Sequence, residues 1–241
     1  TKKKHIVLAP TGIAAINAGG STLHSFFKLP FHPLLPNDSM YSVRNIRNTL
    51  KYNSEKIKII REVELIIIDE ISMVRADIID FIDKVLRVYC RNMREPFGGK
   101  QLLLVGDIYQ LEPVVKEEDR KLLNPFYRSS FFFDAKIFQQ FQLVSIELKK
   151  VYRQSDPVFI GILDHIRTSQ AQSQDLQLLN QRVGAQLDES DSKLAITLST
   201  RRDTVDYINE NQLKLLPGEP TLFRGNIQGE FPESRDRKSV V

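Results

Sequence analysis

The sequence has little of what marks several classes of protein. A single cysteine among 241 residues excludes a disulfide framework and favours a reducing, intracellular compartment. The four histidines are scattered, so they do not form the cluster that a zinc site needs. The longest apolar runs, such as Leu65–Ile68, fall far below the roughly 18 residues of a membrane span. We therefore expect no membrane partner.

The phosphate-binding loop of nucleotide hydrolases is also missing. The pattern Gly-x-x-x-x-Gly-Lys-Ser/Thr occurs nowhere, and the Gly99-Lys100 pair is followed by Gln101. The chain begins at Thr1 without an initiator methionine, and its first lysines run into an apolar stretch that lacks the pattern of a signal peptide. These features predict that the chain is a piece of a longer protein.

The charge balance is only mildly basic. Lys and Arg number 34 against 30 Asp and Glu, which gives a net charge of +4 at pH 7. This excess permits a nucleic-acid partner without requiring one, because a surface that merely keeps the protein in solution has the same balance. The length allows one large domain or two small ones.

Short, continuous apolar runs predict strands that are buried on both faces of a parallel sheet. They lie at 5–9, 65–68, 102–105, 143–146 and 194–198. Helical patterns alternate with these runs, and the clearest has apolar residues at helical spacing from Val74 to Val88. The predicted fold class is therefore α/β, with helices layered on a mostly parallel sheet.

Capping residues predict where further helices begin and end. Asp134 is expected to cap a short helix that runs to Phe141, and Ser155 or Asp156 is expected to cap another. A later helix should stop at Pro217.

Three stretches interrupt the alternation of strands and helices. The segment 29–53 holds three prolines and several Asn and Ser residues, so we expect an irregular insertion there. The stretch 170–192 is polar and is a candidate boundary before a second domain. The residues from Arg224 on have little apolar content and are expected at the surface.

Two strand ends carry side chains suited to nucleotide hydrolysis. Asp69 and Glu70 follow the run at 65–68, where an Asp can hold Mg²⁺ and a neighbouring Glu can accept a proton from an attacking water. Asp107 and Gln110 follow the next run, and the Gln amide could sense a γ-phosphate or orient water. The two strand ends in this order are far more specific than either alone.

Two further segments carry candidate binding residues. The stretch from Leu8 to Phe27 joins a strand to a helix through small residues and hydroxyls, and could hold either a nucleotide phosphate or a nucleic-acid backbone. Its aromatics could stack on a base, although Phe27 is expected to fill the core. Arg153 lies before a capped helix, where its guanidinium could stabilise a γ-phosphate as an arginine finger does.

Taken together, these motifs resemble those of the petite-integration-frequency DNA helicases, the Pif-one family, which is related to the RecD-type helicases of superfamily one. The resemblance covers nearly the whole chain. It is carried by motif Ia and the following segment at 9–26, motif II at 69–73, motif III at 106–114 and motif IV at 152–154, and residues 229–234 resemble bacterial members.

The resemblance implies a RecA-like three-layer αβα fold that is incomplete in this chain. Residues 1–150 would form the first RecA-like motor domain without its P-loop strand, and 151–241 a linker and the start of a second RecA-like domain. The first motif would lie upstream of Thr1, and the last motifs beyond Val241. The segment 29–53 would be a candidate for the family's small wedge domain.

By the same resemblance, the intact enzyme would be a DNA helicase that hydrolyses ATP with Mg²⁺. It would move 5′-to-3′ along single-stranded DNA and separate duplexes, with roles in DNA repair, recombination and telomere maintenance. It would act in the bacterial cytoplasm, at the nucleoid. The chain by itself, which has no P-loop, would be inactive.

The resemblance also assigns roles to residues. Asp69 would hold Mg²⁺, Glu70 would activate water, Gln110 would couple the γ-phosphate to DNA contacts, and Arg153 would stabilise the transition state. The DNA backbone would be bound by residues of motif Ia and the segment after it, namely Pro10, Thr11, Gly12, Asn17, Thr22, His24, Ser25 and Phe26.

Two other interpretations remain open at the level of sequence. One is a RecD-like subunit of an exonuclease complex, or another DNA-dependent ATPase, whose motor motifs would be similar. The other is a helicase remnant that binds nucleic acid without turnover, which the missing P-loop favours for this chain.

Overall fold

A parallel β-sheet organises the first half of the chain. The computed structural model describes residues 2–185, 195–218 and 221. The strands are β1 (His5–Ala9), β2 (Ser21–Thr22), β3 (Leu65–Ile68) and β4 (Gln101–Leu104), and they lie side by side in the order β2-β1-β3-β4. Every pairing between them is parallel. The predicted α/β fold is therefore confirmed, with β1 and β3 at their predicted bounds.

Two of the predicted strands are wrong. Residues 143–146 and 195–198 belong to no strand, and position 194 lies outside the described residues. Val144 and Ile146 are 90% and 82% exposed. An apolar run supplies the side chains of a buried strand, but a strand also needs a neighbour for its N–H and C=O groups, and the run cannot provide one.

Helices follow the strands along the chain. The α-helices of the described residues are α1 (Gly12–Asn17), α2 (Leu23–Phe27), α3 (Ile46–Leu50), α4 (Ser54–Glu62), α5 (Ala76–Cys90), α6 (Glu117–Leu123), α7 (Pro157–Arg167), α8 (Ser173–Asn180) and α9 (Arg202–Lys214). Asp156 caps α7 by accepting the N–H groups of Val158 (2.9 Å) and Phe159 (3.1 Å), as predicted.

The core lies between α5 and the sheet. Helix α5 confirms the pattern predicted from Val74 to Val88, and its Ile79, Ile82 and Val85 are fully buried. Ile66 and Ile68 of β3 are fully buried as well. Burial of such aliphatic side chains contributes roughly 1.5–3 kcal/mol each, so α5 and β3 contribute substantially to stability.

The predicted helix beginning at Asp134 is wrong. The chain forms two short 3₁₀ helices there, Phe132–Asp134 and Lys136–Gln139. Asp80 of α5 takes the capping role, because its carboxylate accepts the N–H groups of Lys136 (3.0 Å) and Ile137 (2.9 Å). Burial raises the pKa of Asp80, although these hydrogen bonds oppose the shift.

The segment 29–53 is more ordered than the predicted irregular insertion. It contains α3 and a 3₁₀ helix at Ser39–Tyr41, and its Leu34 and Ile46 side chains belong to the same core as α5. The Leu34 N–H donates to the buried carboxylate of Asp77 (2.9 Å). A few apolar residues among the prolines therefore suffice to attach the segment to the core.

The chain divides into two compact units, Thr1–Leu178 and Leu179–Val241. This division falls inside the polar stretch 170–192 and leaves α7 in the first unit. A motor-domain boundary at residue 150 stays a prediction. The predicted surface segment from Arg224 and the motif at 229–234 lie outside the described residues. Within the described part of the chain, no helix combines the length and the apolar character needed to cross a membrane.

Candidate nucleotide and nucleic-acid site

The carboxyl ends of β1, β3 and β4 lie at one edge of the sheet. The parallel register places Leu8 opposite Ile68, and Ile68 opposite Leu104. The chain continues from β3 into Asp69 and from β4 towards Asp107. Ligands of open parallel sheets bind outside this edge. The register therefore brings together two motifs that lie far apart in the sequence.

Asp69 and Glu70 form a tight turn at the end of β3. The Asp69 N–H donates to the Leu8 carbonyl (2.8 Å), and the Asp69 carboxylate accepts the N–H of Glu70 (3.0 Å). Glu70 has a left-handed backbone, with φ 51° and ψ 44°. Such a conformation costs a non-glycine residue about 1–3 kcal/mol and often occurs at functional sites. Both carboxylates are partly exposed.

Gly106 allows the two turns to approach each other closely. A Cβ added at this position would lie 3.0 Å from the Ile71 nitrogen and 3.3 Å from the Ser72 nitrogen. Ser72 is fully buried, and its Oγ has no hydrogen-bond partner among the described residues. A larger side chain at 106 would therefore separate the turn at Asp107 from the turn at Asp69.

Asp107 organises the turn that carries Gln110. Its carboxylate accepts the N–H of Tyr109 (3.0 Å) and an N–H from the Gln110 side chain, whose Nε2 lies at 3.2 Å. Burial by itself raises the pKa of Asp107, but these hydrogen bonds and the nearby Arg167 outweigh it and lower that pKa. The carboxylate therefore stays ionised, with the Gln110 amide held against it.

Arg153 lies apart from these contacts. It is exposed and belongs to an irregular segment between the 3₁₀ helix at 136–139 and α7. Lys149 and Gln154 of the same segment line a cleft of about 750 Å³ together with Asp107. The segment therefore borders the turn of Gln110, while a contact between Arg153 and a phosphate stays a prediction.

The oxygen atoms of Asp69 and Glu70 fit a magnesium ion, which prefers oxygen ligands and keeps several waters. The described residues contain no group of three or more His, Cys, Asp or Glu side chains that could hold a metal. Magnesium that is bound through one or two carboxylates usually takes its other ligands from water and substrate phosphates.

Two threonines of motif Ia and the segment after it have structural roles. Thr11 accepts the N–H of Ala14 (3.2 Å) and caps α1, and Thr22 accepts the N–H of Ser25 (3.1 Å) and caps α2. Caps of this kind contribute about 1 kcal/mol each. Each hydroxyl keeps its own O–H as a donor. Pro10, Gly12 and Asn17, which were also predicted to bind DNA, are partly or fully exposed along the same segment.

The prediction that Phe26 could stack on a base is contradicted by its burial. Phe26 is only 7% exposed, and the Lys56 ammonium lies 3.4 Å from its ring centre. Helix α2 turns both of its phenylalanines inward, and Phe27 fills the core as predicted. The ring of Phe26 is therefore covered on the face that a base would need.

An aromatic residue that sequence reasoning missed is exposed beside this motif. Phe31 is 78% exposed, and its ring lies parallel to that of His24 with the centres 5.5 Å apart. Burial and the charge of Arg75 lower the pKa of His24, so its imidazole is neutral at pH 7. The position of Phe31 in the proline-containing segment 29–53 gave no indication that its ring would be exposed next to His24.

Sequence comparisons find relatives over most of this chain. Residues 1–175 match the family model described as PIF1-like helicase. The chain is 33% identical to the ATP-dependent DNA helicase PIF1 of Danio rerio, over 92% of this chain and 32% of that protein. Curated relatives such as this one are therefore about three times as long as the chain.

Solved structures show the same fold. Bacteroides Pif1 bound to single-stranded DNA is 41% identical with a TM-score of 0.85, over 100% of this chain and 53% of that one. The Pif1 helicase of Candida albicans is 30% identical with a TM-score of 0.77, over 96% of this chain and 49% of that one. The chain thus spans about half the length of these solved chains.

Proposed function

Because this chain belongs to the PIF1-like helicase family, we propose that it forms part of an ATP-dependent DNA helicase. The proposed reaction couples ATP hydrolysis to 5′-to-3′ movement along single-stranded DNA and to the separation of duplexes. The main support is the shared sheet edge, where the turns at Asp69 and Asp107 meet. A metal-dependent hydrolase needs such a convergence of carboxylates and an amide.

Glu70 is the proposed general base. Its carboxylate is partly exposed at the strand end and would accept the proton of the water that attacks the γ-phosphate. Asp69 would hold Mg²⁺ beside it. When bound, the ion would neutralise the charge that develops on the phosphate oxygens.

Gln110 is the proposed sensor of the γ-phosphate. Its Nε2 donates to Asp107, and the same N–H could donate to a phosphate oxygen when one is present. Arg153 would contribute its charge to the transition state from the segment before α7.

The segment from Pro10 to Ser25 is the proposed surface for the DNA backbone. The exposed backbone of Gly12, the side chain of Asn17 and the hydroxyls of both capping threonines offer donors to phosphates. Such contacts position a strand without reading its sequence.

Glu70→Gln in the full-length protein tests the proposal. The substitution keeps the size of the side chain but removes the base, so DNA-stimulated ATP turnover should fall by about 10²–10⁴ while ATP affinity stays near normal. Steady-state phosphate release with saturating single-stranded DNA, together with equilibrium nucleotide binding, measures both quantities.

Glu118→Gln is the matched control, because it makes the same chemical change at an exposed position on α6. A Glu70→Gln enzyme within a fewfold of wild type would remove Glu70 from the mechanism. A wild-type protein that binds DNA but shows no turnover would favour the remnant without catalysis.

A further inference from the structure

An arginine at the end of α7 contacts the turn that carries Gln110. Arg167 Nη1 lies 3.4 Å from Asp107 Oδ1 and 3.5 Å from Oδ2. The same guanidinium lies over the Tyr109 ring, with 5.2 Å between Cζ and the ring centre. On its own helix it donates to Asp164 through Nη2 (3.1 Å). One side chain therefore connects α7 to two residues of this short turn.

The oxygens that Arg167 contacts are the ones that hold Gln110. Asp107 Oδ2 accepts the Gln110 side-chain N–H, with 3.2 Å between the heavy atoms, and Asp107 Oδ1 accepts the N–H of Tyr109 (3.0 Å). A displacement of this carboxylate would therefore move the Gln110 amide. The position of the amide depends on α7 through a single intermediate residue.

A role in stability alone does not account for this contact well. The Arg167 side chain is 38% exposed, and ion pairs of that exposure contribute at most about 1 kcal/mol. The contact does provide defined geometry, because a planar guanidinium can stack on Tyr109 while its N–H groups reach Asp107. An ammonium group cannot make both contacts in one fixed arrangement.

The cleft beside Arg167 connects this turn to the segment of the proposed arginine finger. Its lining includes Asp107, Lys149, Gln154, Ile160 and Arg167, and its volume is about 750 Å³. The residues on either side of Arg153 therefore share a boundary with the turn of Gln110 and with α7. A shift of α7 would affect both elements together.

We propose that Arg167 is a positioning residue for ATP hydrolysis, which holds Asp107 and thereby sets the place from which Gln110 meets the γ-phosphate. When a phosphate oxygen takes over the Nε2 hydrogen bond, Arg167 keeps the Asp107 carboxylate in place. This inference rests on the proposed function, and it adds a link between α7 and the carboxyl ends of the strands, where the proposed catalytic residues lie.

Four variants of the full-length protein test the inference: Arg167→Ala, Arg167→Lys, Asp107→Asn and the Arg167→Ala/Asp107→Asn double variant. We expect Arg167→Ala to lower DNA-stimulated kcat about tenfold, with the KM for ATP within about twofold, because misplacement of a reacting group affects the transition state most. Arg167→Lys should recover only part of the loss. The double variant should be no slower than the slower single one, because both changes break the same contact.

Two substitutions serve as controls. Asp164→Ala removes the partner of Arg167 on its own helix but leaves the contact with Asp107. Arg202→Ala removes an exposed arginine from a different helix. Both should keep kcat within about twofold of wild type, and melting temperatures should show that every variant is folded.

Several outcomes would overturn the inference. One is an Arg167→Ala enzyme whose kcat equals that of Asp164→Ala. Another is a double variant in which the losses in kcat of the two single variants multiply. A third is a raised KM for ATP with unchanged kcat, which would place Arg167 on the nucleotide itself. If the wild-type protein shows DNA-stimulated turnover that Glu70→Gln abolishes, any of these three outcomes rejects only the positioning role of Arg167. Absence of turnover in wild type rejects the proposed function, and the inference with it.

Discussion

Glu70 combines a reactive carboxylate with a backbone conformation that few non-glycine residues adopt. Its φ of 51° is maintained by neighbours on both sides. The Asp69 N–H is bound to Leu8, and the Ile71 N–H donates to the Val105 carbonyl (2.9 Å). Two strands therefore fix the turn around the strained residue. A substitution that keeps the size of Glu70, such as Gln, tests its chemistry with little change to this backbone.

Arg153 gives a prediction at the same scale. Arg153→Ala in the full-length protein should lower ATP turnover by about 10³–10⁵ with little change in ATP affinity, because an arginine finger acts on charge that develops in the transition state. Arg153→Lys should not restore full activity, since the ammonium lacks the planar fork. Single-turnover hydrolysis separates the chemical step from binding.

Arg120→Ala is the control for this series, because Arg120 is an exposed arginine in the last turn of α6. Normal hydrolysis by both Arg153 variants would make Arg153 an ordinary surface residue.

His24 gives a second prediction at residue scale. Its imidazole is neutral at pH 7, so any contact with a phosphate would be a hydrogen bond without a full charge. His24→Ala should weaken binding of single-stranded DNA about three- to tenfold. The slope of log affinity against log salt should not change, because no counterion contact is lost. Fluorescence anisotropy across a salt series measures both quantities.

His5→Ala is the matched control, because His5 lies at the start of β1, at the opposite edge of the sheet. Unchanged affinity in His24→Ala would mean that His24 does not bind DNA and that its segment has only a structural role. A shallower salt slope would show that the imidazole is charged when DNA binds. Thr11→Ala should also weaken binding, but it removes a helix cap as well, so His24 is the cleaner probe.

At the scale of elements, α1 and β2 are held to β1 by a close backbone approach. A Cβ added to Gly20 would lie 2.1 Å from the Val7 carbonyl oxygen. The Gly20 N–H also donates to the Ala15 carbonyl (2.8 Å). Only a residue without a side chain allows the chain to pass this strand and form β2.

Gly20→Ala should therefore destabilise the protein by at least about 2 kcal/mol, as overpacking against backbone does. Gly161→Ala provides the opposite case. Gly161 lies inside α7, and a Cβ there would meet nothing within 4 Å, so the change should stabilise the helix by about 0.5–1 kcal/mol. Chemical denaturation of the full-length protein tests both. Equal effects of the two substitutions would contradict the close approach.

At the scale of the whole molecule, β4 is paired on one side only within the described residues. A groove of about 600 Å³ lies beside it, lined by Leu103, Phe97, Phe141 and Ile146 among others. Leu103 is 48% exposed. An open strand edge next to apolar side chains favours association with another chain.

The 241-residue chain expressed by itself should therefore neither hydrolyse ATP nor stay monomeric. Its sequence supplies no Gly-Lys-Ser/Thr loop to hold the phosphates. Phosphate release with MgATP and single-stranded DNA measures the first property, and light scattering measures the second. Leu103→Lys should reduce association, because a lysine on an edge strand opposes pairing. Turnover by the isolated chain that Glu70→Gln abolishes would contradict this account.

The amino-acid sequence by itself determined the elements whose signals are local. Continuous aliphatic runs predicted β1 and β3, a helical repeat predicted α5, and Asp156 with Pro157 predicted the start of α7. The carboxylates directly after β3 and the Gln110 side chain in the turn beyond β4 were recognisable for a similar reason, since each lies close to the end of a strand that the sequence identifies.

Tertiary structure alone decided the contacts between residues that lie far apart in the chain. Asp80 caps a 3₁₀ helix 56 residues away at Lys136, and Arg167 reaches Asp107 across 60 positions. The burial of Phe26 and the exposure of Phe31 likewise depend on how α2 packs. A local pattern records which residues are apolar or charged. Which neighbour each one meets is decided only when the helices pack on the sheet, because packing brings distant residues together.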